Sequence, residues 1–67
     1  MNQMILEKEV KVLRRYAEGD VIDEKDQKII NRLASIGLVR LGLDLDTMQE
    51  TTRPTAMGRR IIEDVKY

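Results

Sequence analysis

Residues 32–62, "RLASIGLVRLGLDLDTMQETTRPTAMGRRII", decide how this chain folds. The run opens at helical spacing and reaches Gly37, a residue suited to the left-handed turn that ends helices. Beyond it the apolar period changes to two. Val39, Leu41, Leu43 and Leu45 alternate with Arg40, Gly42, Asp44 and Asp46, which predicts a strand with one apolar face. A turn is expected between Asp44 and Met48, and "QETTR" returns as a second strand with β-branched Thr. Pro54 halts that strand because it has no amide hydrogen to donate. Thr55 then suits the N-cap of a last helix running to about Lys66, with Met57, Ile61, Ile62 and Val65 facing inward.

Upstream, Asn2 to Glu18 has the period of a helix. Leu6, Val10, Leu13 and Ala17 form its stripe, widened by Ile5, Val12 and Tyr16. Asn2 is the expected cap and Gly19 the expected stop. Lys8, Lys11 and Arg15 share the far side, where a solvated face is the plain account. Val21 and Ile22 suit a very short extended piece, which leaves open whether the sheet has two strands or three. Asp23 is the expected N-cap of a second helix, Glu24–Ile36, with Glu24 and Asp26 as favourable acids in its first turn. Ile29, Ile30, Leu33 and Ile36 form its inner face. The expected fold class is α+β, one domain over residues 1–67 in the order helix, helix, β-hairpin, helix.

Composition narrows the function. A chain of 67 residues buries only about 60% of the surface its unfolded form exposes. It has no Cys, His, Phe or Trp, so aliphatic side chains must make the core. Without Cys and His, zinc binding and acid–base catalysis near neutral pH lose their usual agents. Ser35 is the only serine and has no His to activate it, and no glycine-rich phosphate loop is present. The chain therefore reads as no enzyme and as needing no cofactor. Asp44 and Asp46 suit a turn better than a calcium loop, since the turn glycine and the closing Glu are missing. No run approaches a membrane span, and Glu7, Lys8 and Glu9 interrupt any signal-like start, so a cytoplasmic protein is expected. Twelve basic and twelve acidic residues cancel, so a nucleic-acid surface would have to arise from segregation of charge.

"RLASIGLVR", the hairpin and "TAMGRRIIE" together resemble the winged helix-turn-helix regulators, especially the small archaeal ones. In that family a helix ending in Leu-x-x-x-Gly-Leu-Val leads into the wing, and a Thr-x-x-Gly opens the next helix. Leu33, Gly37, Leu38 and Val39, then Thr55 and Gly58, stand at those positions. The resemblance covers Lys28 to Glu63 and extends loosely to the first helix. Between Gly19 and Gly37 there is room for one long helix, or for one irregular turn plus a helix of ordinary length, so the helix-turn-helix is shortened.

The resemblance implies a winged-helix-like DNA-binding protein, a transcriptional regulator acting as a homodimer on double-stranded DNA. The second helix would enter the major groove through Gln27, Lys28, Asn31, Arg32 and Ser35. Gln, Asn and Arg make paired hydrogen bonds to base edges, and Lys and Ser suit phosphates. Arg40 and Arg53 would act as wing residues, and Arg59 and Arg60 could touch phosphate. Against DNA stand the zero net charge, the acidic hairpin tip and Asp23, Glu24 and Asp26 at the helix entrance. The zero net charge, the acidic tip and the shortened helix-turn-helix favour a second reading, a winged-helix-like module that binds protein or itself. Surplus apolar residues, namely Met1, Met4, Ile5, Val12, Leu43 and Leu45, suggest a twofold dimer through the first and last helices.

Overall fold

A computed structural model describes residues 5–65. Helix α1 spans Glu7–Arg15, strand β1 Asp20–Val21, a 3₁₀ turn Glu24–Asp26, and helix α2 Gln27–Ser35. Strands β2, Val39–Asp44, and β3, Gln49–Pro54, form the hairpin, and helix α3 covers Ala56–Asp64. The sheet is antiparallel in the order β1-β3-β2, with Asp20 opposite Thr52 and Val21 opposite Thr51. The open question of a third strand is thus answered by two residues, Asp20–Val21, one position earlier than the expected Val21–Ile22. This three-helix, three-stranded α+β architecture is compatible with a winged-helix-like fold.

The core lies where α1, α2 and the root of the hairpin meet. Val10, Val12, Leu13, Tyr16, Ile30, Leu33, Leu38 and Val39 are buried, and Ile29, Ile36, Ile61 and Ile62 close around them half-buried. Full burial of a single Leu or Ile removes roughly 1.5–3 kcal/mol of exposed apolar cost. Leu13, Ile30 and Leu33 are the largest contributors of that kind here. Val12, expected as surplus apolar surface, belongs to this core. Met57, expected inward, is 59% exposed, because Gly58 takes the buried position of that turn.

Several boundaries differ from the periodic reading, each for a local reason. α1 is shorter than Asn2–Glu18: it starts after Leu6 and gives way to turns at Tyr16–Glu18 before Gly19 adopts φ +82°. The expected Asn2 cap lies outside the described residues, as do Met1, Met4 and Lys66. Glu9 works at the start of α1 instead, its Oε1 accepting from the Leu6 amide at 2.9 Å. Asp23 does cap, but what it caps is the 3₁₀ turn, through the Lys25 amide at 3.0 Å. The regular helix begins only at Gln27 because Asp26 is drawn inward to other partners.

The hairpin root is held by α3. Gly37 adopts φ +82° and ends the helix as expected. The Thr55 hydroxyl donates to the Gly37 carbonyl at 2.7 Å, and the Thr55 amide donates to the Leu38 carbonyl at 3.0 Å. The same hydroxyl oxygen caps α3 by accepting from the Gly58 amide at 3.1 Å. Gly58 must lack a side chain, since a Cβ there would sit 2.1 Å from the Leu38 carbonyl oxygen. At the other end of α3, Arg14 donates to the Ile62 carbonyl at 3.3 Å and to the Val65 carbonyl, meeting the orphan acceptors of a helix terminus with positive charge.

The apolar alternation of β2 outruns its cover. Val39 is buried, yet Leu41 and Leu43 are 46% and 50% exposed, and Leu45 lies in the turn at 76%. The helices reach only the root of the hairpin, so its outer half keeps a leucine face in solvent. Among the described residues, no helix is long and apolar enough to cross a membrane.

Candidate nucleic-acid interface

Helix α2 turns Ile30 and Leu33 into the core, and that fixes what it shows to solvent. Lys28, Asn31, Arg32 and Ser35 recur at helical spacing on the outer side, and all four are exposed. Gln27 begins this stripe half-buried, its amide donating to Asn31 Oδ1 at 2.9 Å and Glu50 Oε1 at 3.1 Å. The second of these bonds ties the start of α2 to β3.

Not every member of the stripe is available to a ligand. The Arg32 guanidinium donates through Nε to Glu9 Oε2, joining α2 to α1. Glu9 is only 2% exposed, so Arg32 balances a buried charge. Burial pushes the Glu9 pKa up, but the Leu6 amide and Arg32 pull it further down, leaving it below its ordinary value of 4.5. The Ser35 hydroxyl donates back to the Arg32 carbonyl at 2.7 Å. Lys28 has no ion pair among the described residues, and the Asn31 amide nitrogen keeps its donors.

Of the three acids at the entrance of the helix, one is held in an ion pair among the described residues. Asp26, 4% exposed, accepts from the Tyr16 hydroxyl at 2.8 Å and pairs with Arg15 at 3.2 Å. The Tyr16 oxygen in turn accepts from the Asp23 amide at 2.9 Å. Burial first, and then the Asp26 carboxylate, hold the Tyr16 hydroxyl above its ordinary 10.0. Asp23 is spent on its cap, so of the three acids only Glu24 makes no side-chain bond among the described residues. The basic stripe of α1 is reduced in the same way. Lys11 pairs with Glu7 at 3.5 Å and Arg15 with Asp26, which leaves Lys8.

Arg40 and Arg53 lie elsewhere. They stand directly opposite one another in the β2–β3 ladder, on the sheet face turned away from Val39, Thr52 and Pro54 and so away from α2. The structure therefore does not join them to the helix stripe. Both line a shallow concavity of about 520 Å³ with Gly19, Gly42 and Thr51, and Glu18, Asp20 and Asp44 edge it with acid. Neither arginine has an ion pair among the described residues, and like charges directly across a ladder cost stability. Arg59 and Arg60 are exposed on α3.

The burial of Glu9 and Asp26, and the bond from the Tyr16 hydroxyl to Asp26, escaped the sequence reading, which had Tyr16 itself on the inward stripe. Periodicity marks a position as inward but does not say which acid will find a basic partner from another element. At helical spacing Glu9 does fall between the inward positions Leu13 and Tyr16, and that placement was the available signal. No known family model matches this sequence, and no curated protein or solved structure matches it.

Proposed function

We propose that this protein binds duplex DNA as a winged-helix-like transcriptional regulator, with α2 entering the major groove and the protein acting as a homodimer. The observation that supports this is the single exposed stripe of α2, with Lys28, Asn31, Arg32 and Ser35 outward while Ile30 and Leu33 anchor the opposite side. Lys28 supplies the uncommitted positive charge for phosphate, and Asn31 the amide for a base edge. Arg32 is held against Glu9, whose charge it balances, so it steadies the helix rather than adding net positive charge to the stripe. Arg40 and Arg53 face another way and stand outside the groove contact.

Anisotropy of the protein against random duplex DNA tests the proposal. Affinity should fall steeply as salt rises, because phosphate neutralisation releases counterions. Lys28→Ala should weaken binding uniformly across sequences and lower the salt slope by about one unit. An absence of binding at low salt would refute the proposal. A second reading, a self-associating or protein-binding module without nucleic acid, is favoured by one observation: Leu41, Leu43 and Leu45 remain exposed along the hairpin.

A further inference from the structure

Strand β2 ends in an open edge. β3 sits in the middle of the sheet, with two-residue β1 on one side and six-residue β2 on the other. The bond from the Thr55 amide to the Leu38 carbonyl brackets Val39 and Pro54 as a non-hydrogen-bonded pair. By alternation Arg40, Gly42 and Asp44 direct their backbone groups to β3, and Val39, Leu41 and Leu43 direct theirs to the open edge. Among the described residues, no hydrogen bond outside the ladder engages the backbone of Leu41 or Leu43. The usual guards of an edge, such as Pro, Lys or extreme shortness, are missing from β2, whereas β1 is blunted by its length.

We propose that this edge pairs antiparallel with β2 of a second copy of the chain, about a twofold axis through Gly42. The outward backbone groups allow only registers that set odd-numbered residues against odd-numbered ones. With Leu41 opposite Leu43 of the second copy, Arg40 falls opposite Asp44 on both sides of the axis. Sliding the register so that Leu41 meets itself sets Arg40 against Gly42 and loses both charge pairs. Sliding it so that Leu43 meets itself sets Arg40 against Asp46, which lies in the turn beyond the strand. The Gly42-centred register is therefore the one that forms two opposite-charge pairs within the strands.

Four further features agree with it. Arg40 already faces Arg53 across the ladder, and the second copy's carboxylate relieves that repulsion. Leu41 and Leu43 gain leucine neighbours on the face that the helices leave open. Gly42 puts no side chain on the axis, where two facing Cβ atoms of a non-hydrogen-bonded pair would come closest. Zero net charge lets identical copies approach without long-range repulsion. The product is a continuous six-stranded sheet. This interface replaces the helix-mediated dimer expected from sequence and deepens the homodimer element of the proposed function, resting on that reading only for its biological use.

Sedimentation equilibrium without DNA tests the interface independently of DNA binding. A concentration-dependent dimer is expected. Arg40→Asp should weaken it about tenfold or more by setting acid against acid at both ends. Combining Arg40→Asp with Asp44→Arg should restore it. Leu41→Pro removes an amide that points outward, so it should give a monomer with an unchanged circular dichroism spectrum; should this variant not fold, the charge swap decides. A wild-type monomer at every concentration would overturn the proposal, as would a dimer whose affinity Arg40→Asp leaves unchanged. Loss of DNA binding with the dimer intact would count against the proposed function alone.

Discussion

At the scale of single residues, the Glu9–Arg32 pair joins the fold to the proposed interface. Glu9 is buried and ionised, and it is satisfied by the Leu6 amide and the Arg32 guanidinium. Arg32→Ala would strand that carboxylate, and a buried charged acceptor without its partner costs about 1–3 kcal/mol or more. The expected outcome is a lower urea midpoint, so loss of DNA binding in that variant would report on folding as much as on contact. Lys28→Ala, at an exposed side chain with no ion pair among the described residues, should leave the midpoint nearly unchanged. The same pair sets an acid limit. The folded pKa of Glu9 lies below its ordinary 4.5, so its contribution is complete above that value and is lost as pH falls through the lower folded value. Urea midpoints measured from neutral pH downward should decline in that window, and Arg32→Ala should flatten the decline. Periodicity could not reveal this pair, because a hydrophobic stripe marks where a residue points but not which charge meets it.

At the scale of elements, the two glycines around the hairpin root serve different needs. Gly37 has φ +82° with no atom near a hypothetical Cβ, so Gly37→Ala should cost only the left-handed penalty, about 1–2 kcal/mol. Gly58 lies in α3, where alanine is otherwise the better helix former by up to about 1 kcal/mol. Its Cβ would nevertheless meet the Leu38 carbonyl oxygen at 2.1 Å, a backbone atom that moves only if α3 and the hairpin separate. Gly58→Ala should therefore destabilise by about 1–3 kcal/mol, as overpacking does, and thermal melts of the two variants check both figures. A melting temperature for Gly58→Ala at or above that of the parent chain would show that α3 does not rest on the root as described. These elements were the most legible part of the sequence. Gly37, Thr55, Pro54 and the Val39–Leu45 alternation carry their conformations locally, through turn chemistry, capping and period. The spacing left room for an irregular turn before the second helix, but that it is a 3₁₀ turn at Glu24–Asp26 was not legible, because it depends on Tyr16 and Arg15 drawing Asp26 inward from another element. Nor was the exposure of Leu41 and Leu43, since period two defines a face without saying whether anything covers it.

At the scale of the whole molecule, the charges sum to zero but are not evenly distributed. Among the described residues Glu7, Glu9 and Asp26 are in ion pairs and Asp23 serves as a cap, whereas Lys28 on the α2 stripe has no ion pair. The sheet's far face separately holds Arg40 and Arg53. Seven candidate DNA residues thus divide between two surfaces: the helix set, Gln27 to Ser35, was legible as a face from its spacing. That Arg40 and Arg53 look away from it depends on sheet register, which no local pattern reports. The central claim is that α2 is the surface that meets DNA. The most direct test is a titration of isotope-labelled protein with duplex DNA at low salt, followed through backbone and side-chain amide resonances. Perturbations should concentrate on Lys28, Asn31, Arg32 and Ser35, include the Asn31 side-chain amide, and disappear as salt is raised. A spectrum unchanged at low salt, or changes confined to the Arg40–Arg53 face, would contradict it.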